Sequence, residues 1–286
     1  MKLTPLLTVR ECAALLAARR AGVATIECSL DLDRSISVVG VGEHEWRWDG
    51  RAFPYPATCK PRTIYCWTSA GFEPAARYTS ALYKLVPTDW GPPTFEIDGI
   101  KMLPTAKVSP YADAGRKVAL IKPRGKVILD TCGGLGYFAA WCLQAGAARV
   151  LSFEKHADVI WLRSLNPWSP DSPWALATAA GLQLTHGDIT AEIARIADGS
   201  VDAILHDPPR FGIAGELYSQ HFYDQLARVL QQGGNLFHYT GAPNSVSRGR
   251  KLASEVAARL RRAGFAAEFN GDGILASKRG RAGQYN

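Results

Sequence analysis

From Lys126 to Lys278, short unbroken apolar runs alternate with stretches of helical periodicity. The runs fall at 126–131, 148–153, 182–186, 201–206 and 235–240. Each is bounded by turn residues, the pattern of parallel strands buried on both faces. Between the last two, Phe222, Leu226, Val229 and Leu230 mark one helical face, and Gly233-Gly234 reads as its stop. A helix near 247–263 follows, then two strands, Ala266–Phe269 and Ile274–Ser277, paired around Asn270-Gly271-Asp272-Gly273. The expected fold class is α/β, a doubly wound, seven-stranded, mostly parallel sheet occupying residues 111–286.

Residues 1–110 read as a smaller α+β segment that serves substrate recognition. Thr8 and Glu11 form a T-x-x-E capping box before a helix whose expected inner face is Val9, Cys12, Ala13 and Leu16, with Gly22 at its end. Alternation in Ile26–Leu30, the run Ile36–Val41, and Trp46-Arg47-Trp48 predict small antiparallel strands. From Phe53 to Pro104, frequent proline and glycine and poor periodicity predict mostly loop.

Composition adds a partner class. The 286-residue chain is 47% apolar and 21% charged, with a net charge of +7 and a pI near 9.1. That balance favours an anionic partner, RNA being the commonest in the cytosol. Residues 242–286 sharpen it, with nine Lys/Arg (Arg248, Arg250, Lys251, Arg259, Arg261, Arg262, Lys278, Arg279, Arg281) against three acids. Trp46, Trp48, Tyr65 and Trp67, set among Arg47, Arg51, Lys60 and Arg62, could stack bases, but as aromatics they suit a small core better. Nothing in the pattern sets an oligomeric state. The six cysteines are dispersed, without C-x-x-C or Cys/His spacing, so reduced thiols and no metal are expected; Cys59 and Cys66 come nearest to a ligand pair. No apolar run approaches the roughly 20 residues of a membrane span, and a secretory signal pattern is missing, so a soluble cytoplasmic protein is expected.

Candidate chemistry begins at Val127–Gly136, a strand ending in Asp130 followed by a glycine-rich turn (Cys132, Gly133, Gly134, Gly136) that opens a helix. Such a turn lets backbone approach a ligand closely, with helix N–H groups facing it. A dinucleotide-binding domain has a related turn. Three acids separate the readings: Asp130 before the glycines, Glu154 24 residues on at a second strand end, and Asp188 after the third strand.

Residues 126–278 thereby resemble the class I, Rossmann-fold S-adenosylmethionine-dependent methyltransferases. The resemblance implies S-adenosylmethionine (SAM) as cofactor. It implies that Asp130 orients the methionine end, Glu154 accepts the ribose hydroxyls and Asp188 pairs with the adenine amino group. Lys155, Ile189 and Asp207 complete the implied set. Cys132 departs from the family pattern by standing at its usual first glycine. Further segments resemble a group of predicted archaeal and bacterial methyltransferases: Leu82-Tyr83-Lys84-Leu85, Asn166-Pro167-Trp168-Ser169, His206–Phe211, Gly215–Ser219 and His238–Gly241.

Asp207-Pro208-Pro209-Arg210, at the carboxyl end of the fourth strand, resembles the [D/N]-P-P-[Y/F/W] motif of amino-methyltransferases. There the acid and a proline carbonyl accept hydrogen bonds from a planar nitrogen and hold it in line with the methyl group. Arg210 stands where the motif has its aromatic. Either Phe211 takes over stacking or Arg210 binds an anionic substrate. His206, Tyr218, His238 and Tyr239 could complete the pocket, and Trp168 could wall it, although a strand-end histidine is more often structural and Pro167 suits a helix stop.

The expected function is methyl transfer from SAM to an amino nitrogen, with RNA as acceptor. The alternatives are a small-molecule or protein amine, or aminopropyl transfer from decarboxylated SAM. A catalytically dead, nucleic-acid-binding version of the fold is disfavoured because every cofactor acid is present.

Overall fold

In the computed structural model, which describes residues 3–175, 180–241 and 248–279, the five apolar runs become parallel strands. They are β1 (Val127–Asp130), β2 (Arg149–Glu154), β3 (Leu182–His186), β4 (Val201–His206) and β5 (Leu230–Tyr239). The hairpin β6 (Phe265–Asn270) and β7 (Gly273–Lys278) closes the sheet, β7 running antiparallel to β5. The order is β3-β2-β1-β4-β5-β7-β6, so the chain starts in the middle and winds outward twice. Helices α1 (Pro110–Ile121), α2 (Tyr137–Gln144), α3 (Gln220–Val229) and α4 (Arg248–Arg262) belong to the same winding. Leu129, Ile204 and Leu236 of the sheet share one buried cluster with Phe222 and Leu226 of α3 and with Val256 and Leu260 of α4.

Two details differ from the expectation. Leu230 begins β5 rather than ending α3, which stops at Val229. Gly233-Gly234 then lies inside the strand, where the β4–β5 register shifts: Val201 faces Leu230, but Ala203 faces Asn235. Two glycines fit either a helix stop or a bulge, and pairing with β4 decides. Within the hairpin, a Cβ on Gly273 would lie 2.5 Å from the His238 carbonyl oxygen and 2.6 Å from the Phe237 ring. Gly273→Ala is therefore expected to cost about 3 kcal/mol of stability, because the obstacles are backbone and a packed ring. An unchanged urea midpoint would contradict this packing.

The chain divides into two compact units, residues 1–113 with 158–178, and residues 114–157 with 179–286. The first unit carries three small antiparallel sheets, of three, four and four strands. Its N-terminal helix, Val9–Ala21, has the capping box in place: Thr8 Oγ1 accepts from the Arg10 N–H, and Glu11 accepts from the Thr8 N–H at 3.0 Å. Its inner face is Glu11, Cys12, Leu15 and Ala18, rotated from the expected one because capping buries Glu11 and leaves Val9 in solvent. Trp46 and Tyr65 are core residues; Trp46 stacks on Phe53 and Phe72, and Trp67 meets both edge-on. The core reading of these aromatics therefore holds.

The stretch 53–104 is rich in loop, as expected, but not loop alone. It contains strands Tyr65–Thr68, Gly71–Pro74, Ala76–Tyr78, Leu82–Val86, Thr94–Ile97 and Ile100–Lys101. These are two to five residues long, too short to register as periodic. The cysteine expectation is also corrected. Cys12 and Cys59 form a disulfide across 47 residues, which removes Cys59 as a metal ligand, while Cys28, Cys66, Cys132 and Cys142 are free thiols. Among the described residues no His/Cys/Asp/Glu cluster is arranged to hold a metal, and no helix is long and apolar enough to cross a membrane.

Candidate active site

The parallel sheet brings the singled-out acids to the carboxyl ends of four adjacent strands. Asp130 closes β1, buried, and its Oδ2 accepts from Ser152 Oγ of β2 at 2.8 Å. The following turn is pinned to β2 by two backbone donors. The Gly133 N–H reaches the Phe153 carbonyl at 2.7 Å, and the Gly134 N–H reaches Glu154 Oε2 at 3.0 Å. Gly134 and Gly136 have φ of 49° and 79°, the left-handed region that glycine enters without cost. Glu154 Oε1 accepts from the His156 N–H at 2.9 Å, so both its oxygens are oriented and each keeps a free lone pair.

After β3, Asp188 caps a short helix by accepting from the Thr190 N–H and hydroxyl, while Lys155 Nζ pairs with its other oxygen at 2.8 Å. Partial burial opposes its charge, but the Lys155 and Thr190 bonds outweigh that and hold the carboxyl below its ordinary 3.8. The same pairing raises Lys155. Ile189 is buried beside it. Burial pushes the Cys132 thiol well up; the Thr131 hydroxyl bond opposes this, and the charges of Glu154, Asp130 and Asp207 reinforce it. Cys132 is a neutral thiol surrounded by three carboxylates, not a nucleophile.

Asp207 follows β4. Its Oδ2 lies 3.2 Å from Nζ of Lys117, which projects from α1 with 1% of its side chain exposed and sits 3.8 Å above the Tyr239 ring. Lys117 went unremarked in the sequence. Its signal was position: it falls on the buried stripe Ala114, Val118 and Ile121, where a cation needs a partner. Pro208 is buried, and the Pro209 carbonyl accepts from Tyr218 OH at 3.0 Å. Phe211, 48% exposed, meets Tyr218 edge-on at 5.5 Å, while Arg210 is exposed.

The two histidines do not face a ligand. His206 is fully buried between Thr131 Oγ1, 2.7 Å from Nδ1, and the Leu217 carbonyl, 3.1 Å from Nε2. A carbonyl only accepts, so Nε2 carries the proton. His238 donates from Nδ1 to the Tyr239 carbonyl and accepts from Tyr223 OH at Nε2. Burial and the neighbouring His238 hold His206 well below its usual range, and burial holds His238 down to about 4.

Because the unfolded chain binds a proton at 6.5 and folded His238 only near 4, its contribution is complete above pH 6.5 and is lost as pH falls towards 4. The loss amounts to about 3 kcal/mol for His238 alone. Melting midpoints are expected to fall from about pH 6.5 to about pH 4.5, and less steeply in His238→Gln. Equal slopes in both proteins would remove His238 from this role.

Other candidates are occupied elsewhere. Asn166 donates to Ser169 Oγ, and the Trp168 indole donates to the Leu32 carbonyl with its ring against Tyr111, all within the first unit. In the basic tail, Arg259 donates to the Tyr218 carbonyl, Arg261 to the Ala267 carbonyl and Arg262 to Gln220. These guanidinium groups hold the fold together. Arg281 lies outside the described residues.

Comparison with known proteins bears on the family and the fold. An uncharacterized protein of Methanocaldococcus jannaschii is 43% identical over 192 residues, covering 67% of this chain and 64% of its own length. The chain thus spans slightly under two thirds of that curated relative. A spermidine synthase solved with the transition-state analogue AdoDATO shares the fold at a TM-score of 0.55, with 17% identity over 71% of this chain and 72% of its own. The spermidine synthase of Thermotoga maritima does so at 0.53, with the same identity and coverage. Identity that low speaks for fold alone. Residues 152–269 match the model of an S-adenosyl-L-methionine-dependent methyltransferase family.

Proposed function

We propose that the protein transfers the methyl group of SAM to an amino nitrogen held at Asp207-Pro208-Pro209, with RNA as acceptor. The observation that carries the reading is the convergence of Asp130, Glu154, Asp188 and Asp207 on four adjacent strand ends beside the glycine turn. The donor set suits SAM: Asp130 for the ammonium, the free lone pairs of Glu154 for two ribose hydroxyls, and Asp188 with Ile189 for the adenine. Cys132, Gly133, Gly134 and Gly136 supply a close-approaching backbone, and Lys155 fixes Asp188. When bound, SAM supplies an electrophilic methyl group on a cationic sulfur.

The chain's own task is positioning. Asp207 and the Pro208 carbonyl accept N–H bonds from the acceptor and aim its lone pair, and the proton that nitrogen gives up passes to solvent. The Pro209 carbonyl is committed to Tyr218. Phe211, at the rim against Tyr218, offers the stacking surface that the motif otherwise takes from its fourth residue. Arg210 is left to meet a phosphate or carboxylate of the acceptor. Residues 1–110 are assigned to substrate recognition and 111–286 to catalysis. The net charge of +7 supports an anionic acceptor.

The test is mass spectrometry of nucleosides and metabolites from cells with and without the gene. Loss of one methylated nucleoside is expected. Loss of a methylated metabolite or protein amine, with RNA unchanged, would move the acceptor out of RNA.

A further inference from the structure

The first unit holds a cleft of about 360 Å³, and every residue lining it belongs to that unit. It opens between the paired strands Tyr65–Thr68 and Gly71–Pro74, the edge strand Ala76–Tyr78, and Trp161 of the helix Ala157–Leu165. The volume sits at the lower end of the roughly 300–1,000 Å³ of small-ligand sites, room for one ring system. Trp161 and Tyr78 supply aromatic surface, and Tyr78 is 76% exposed. The Arg77 guanidinium lies 4.4 Å from the Trp161 ring centroid and pairs with Asp158, which fixes a second flat surface beside the rings. Glu73 is exposed in the same lining, where the Thr68 hydroxyl donates to its Oε2 at 2.7 Å. Each carboxylate oxygen has two lone pairs, so this bond orients the group and leaves room for two N–H donors. Burial pushes the Cys66 thiol up to about 11, so that part of the lining is uncharged at neutral pH. Trp46 and Tyr65 lie in the core, and the aromatic surface offered to a ligand is found here instead.

We infer that this cleft binds an unpaired guanine base of the acceptor RNA, stacked by Tyr78, Trp161 and Arg77 and read by Glu73. The inference rests on the RNA-acceptor reading above. Guanine alone among the RNA bases carries two adjacent N–H donors, the ring N–H and the exocyclic amine, on its pairing edge. Two parallel N–H bonds to one carboxylate are the geometry by which a guanidinium meets it, and they hold a planar group in orientation. Adenine and cytosine set one amine beside a ring-nitrogen acceptor, which would turn a lone pair towards Glu73, and uracil offers a single N–H between two carbonyls. A bare phosphate or carboxylate would meet the Glu73 charge, and an alkylammonium would compete with Arg77 for the Trp161 ring. A neutral planar base meets neither conflict, and it uses both the stacking surface and the carboxylate.

Fluorescence anisotropy of the full-length protein follows the binding of labelled single-stranded RNAs of about 12 nucleotides, all uridine but for one central guanosine or adenosine. The guanosine RNA is expected to bind at least about tenfold more tightly than the adenosine RNA. Glu73→Gln presents one acceptor and one donor, the pair that adenine matches, and is expected to remove that preference. Tyr78→Ala is expected to weaken the guanosine RNA at least about fivefold through lost stacking. Both residues are exposed, so neither variant threatens the fold. Equal wild-type affinities, a preference kept by Glu73→Gln, or unchanged binding by Tyr78→Ala overturns the cleft assignment and leaves the RNA reading standing. Tighter binding of guanosine monophosphate than of the guanosine RNA places the base on a free nucleotide and overturns its assignment to RNA. Failure of both RNAs to bind at ~100 μM protein overturns the RNA-acceptor reading and this inference with it.

Discussion

Asp207→Ala is expected to lower kcat by about 10²- to 10³-fold while leaving the Kd for SAM within about threefold. The split follows from position. Asp207 stands after β4, on the far side of β1 from Glu154 and Asp188, and it pairs with Lys117. Removing its carboxylate takes away the acceptor that aims the nitrogen and leaves the cofactor acids in place. It also takes a partner from the buried Lys117 ammonium, so a loss of about 3 kcal/mol of stability is expected alongside, and kcat must be read on protein shown to be folded. Asp207→Asn keeps an acceptor oxygen and is expected to retain more activity than Asp207→Ala. Normal turnover in Asp207→Ala would move the reaction centre elsewhere.

Gly134→Arg should weaken SAM binding at least about 100-fold with little effect on the fold. Gly134 holds a φ of 49° while its N–H fixes Glu154 Oε2. A side chain there strains the turn by about 1–2 kcal/mol and projects a long cation into the space where the backbone approaches the cofactor. Gly134→Ala carries the strain without the bulk, and a loss of about tenfold is expected. Parallel calorimetric titrations of the two variants separate strain from obstruction. Equal affinities would show that the turn does not line the cofactor.

The sheet was legible because its strands are buried on both faces and read as unbroken apolar runs between turn residues, as Val201–His206 does. Asp130, Glu154 and Asp188 were legible for the same reason, since strand ends are set by the pattern. What escaped was set by tertiary contact. Leu230 reads equally as the last residue of a helix or the first of a strand, and pairing with Val201 decides. The Cys12–Cys59 bond joins a helix to a loop 47 residues on, with no spacing rule to announce it. A solitary helical lysine ordinarily marks a solvated face, so Lys117 becomes informative only through the apolar stripe it interrupts. The short strands of the first unit carry too few residues each for a period to emerge.

Calorimetric titration of SAM into wild type and Glu154→Ala tests the central claim most directly. One site per chain is expected, with affinity falling about 10- to 100-fold on loss of the carboxylate whose lone pairs serve the ribose. No binding to wild type, or equal binding to both proteins, would contradict the assignment of the cofactor to the carboxyl ends of β1, β2 and β3.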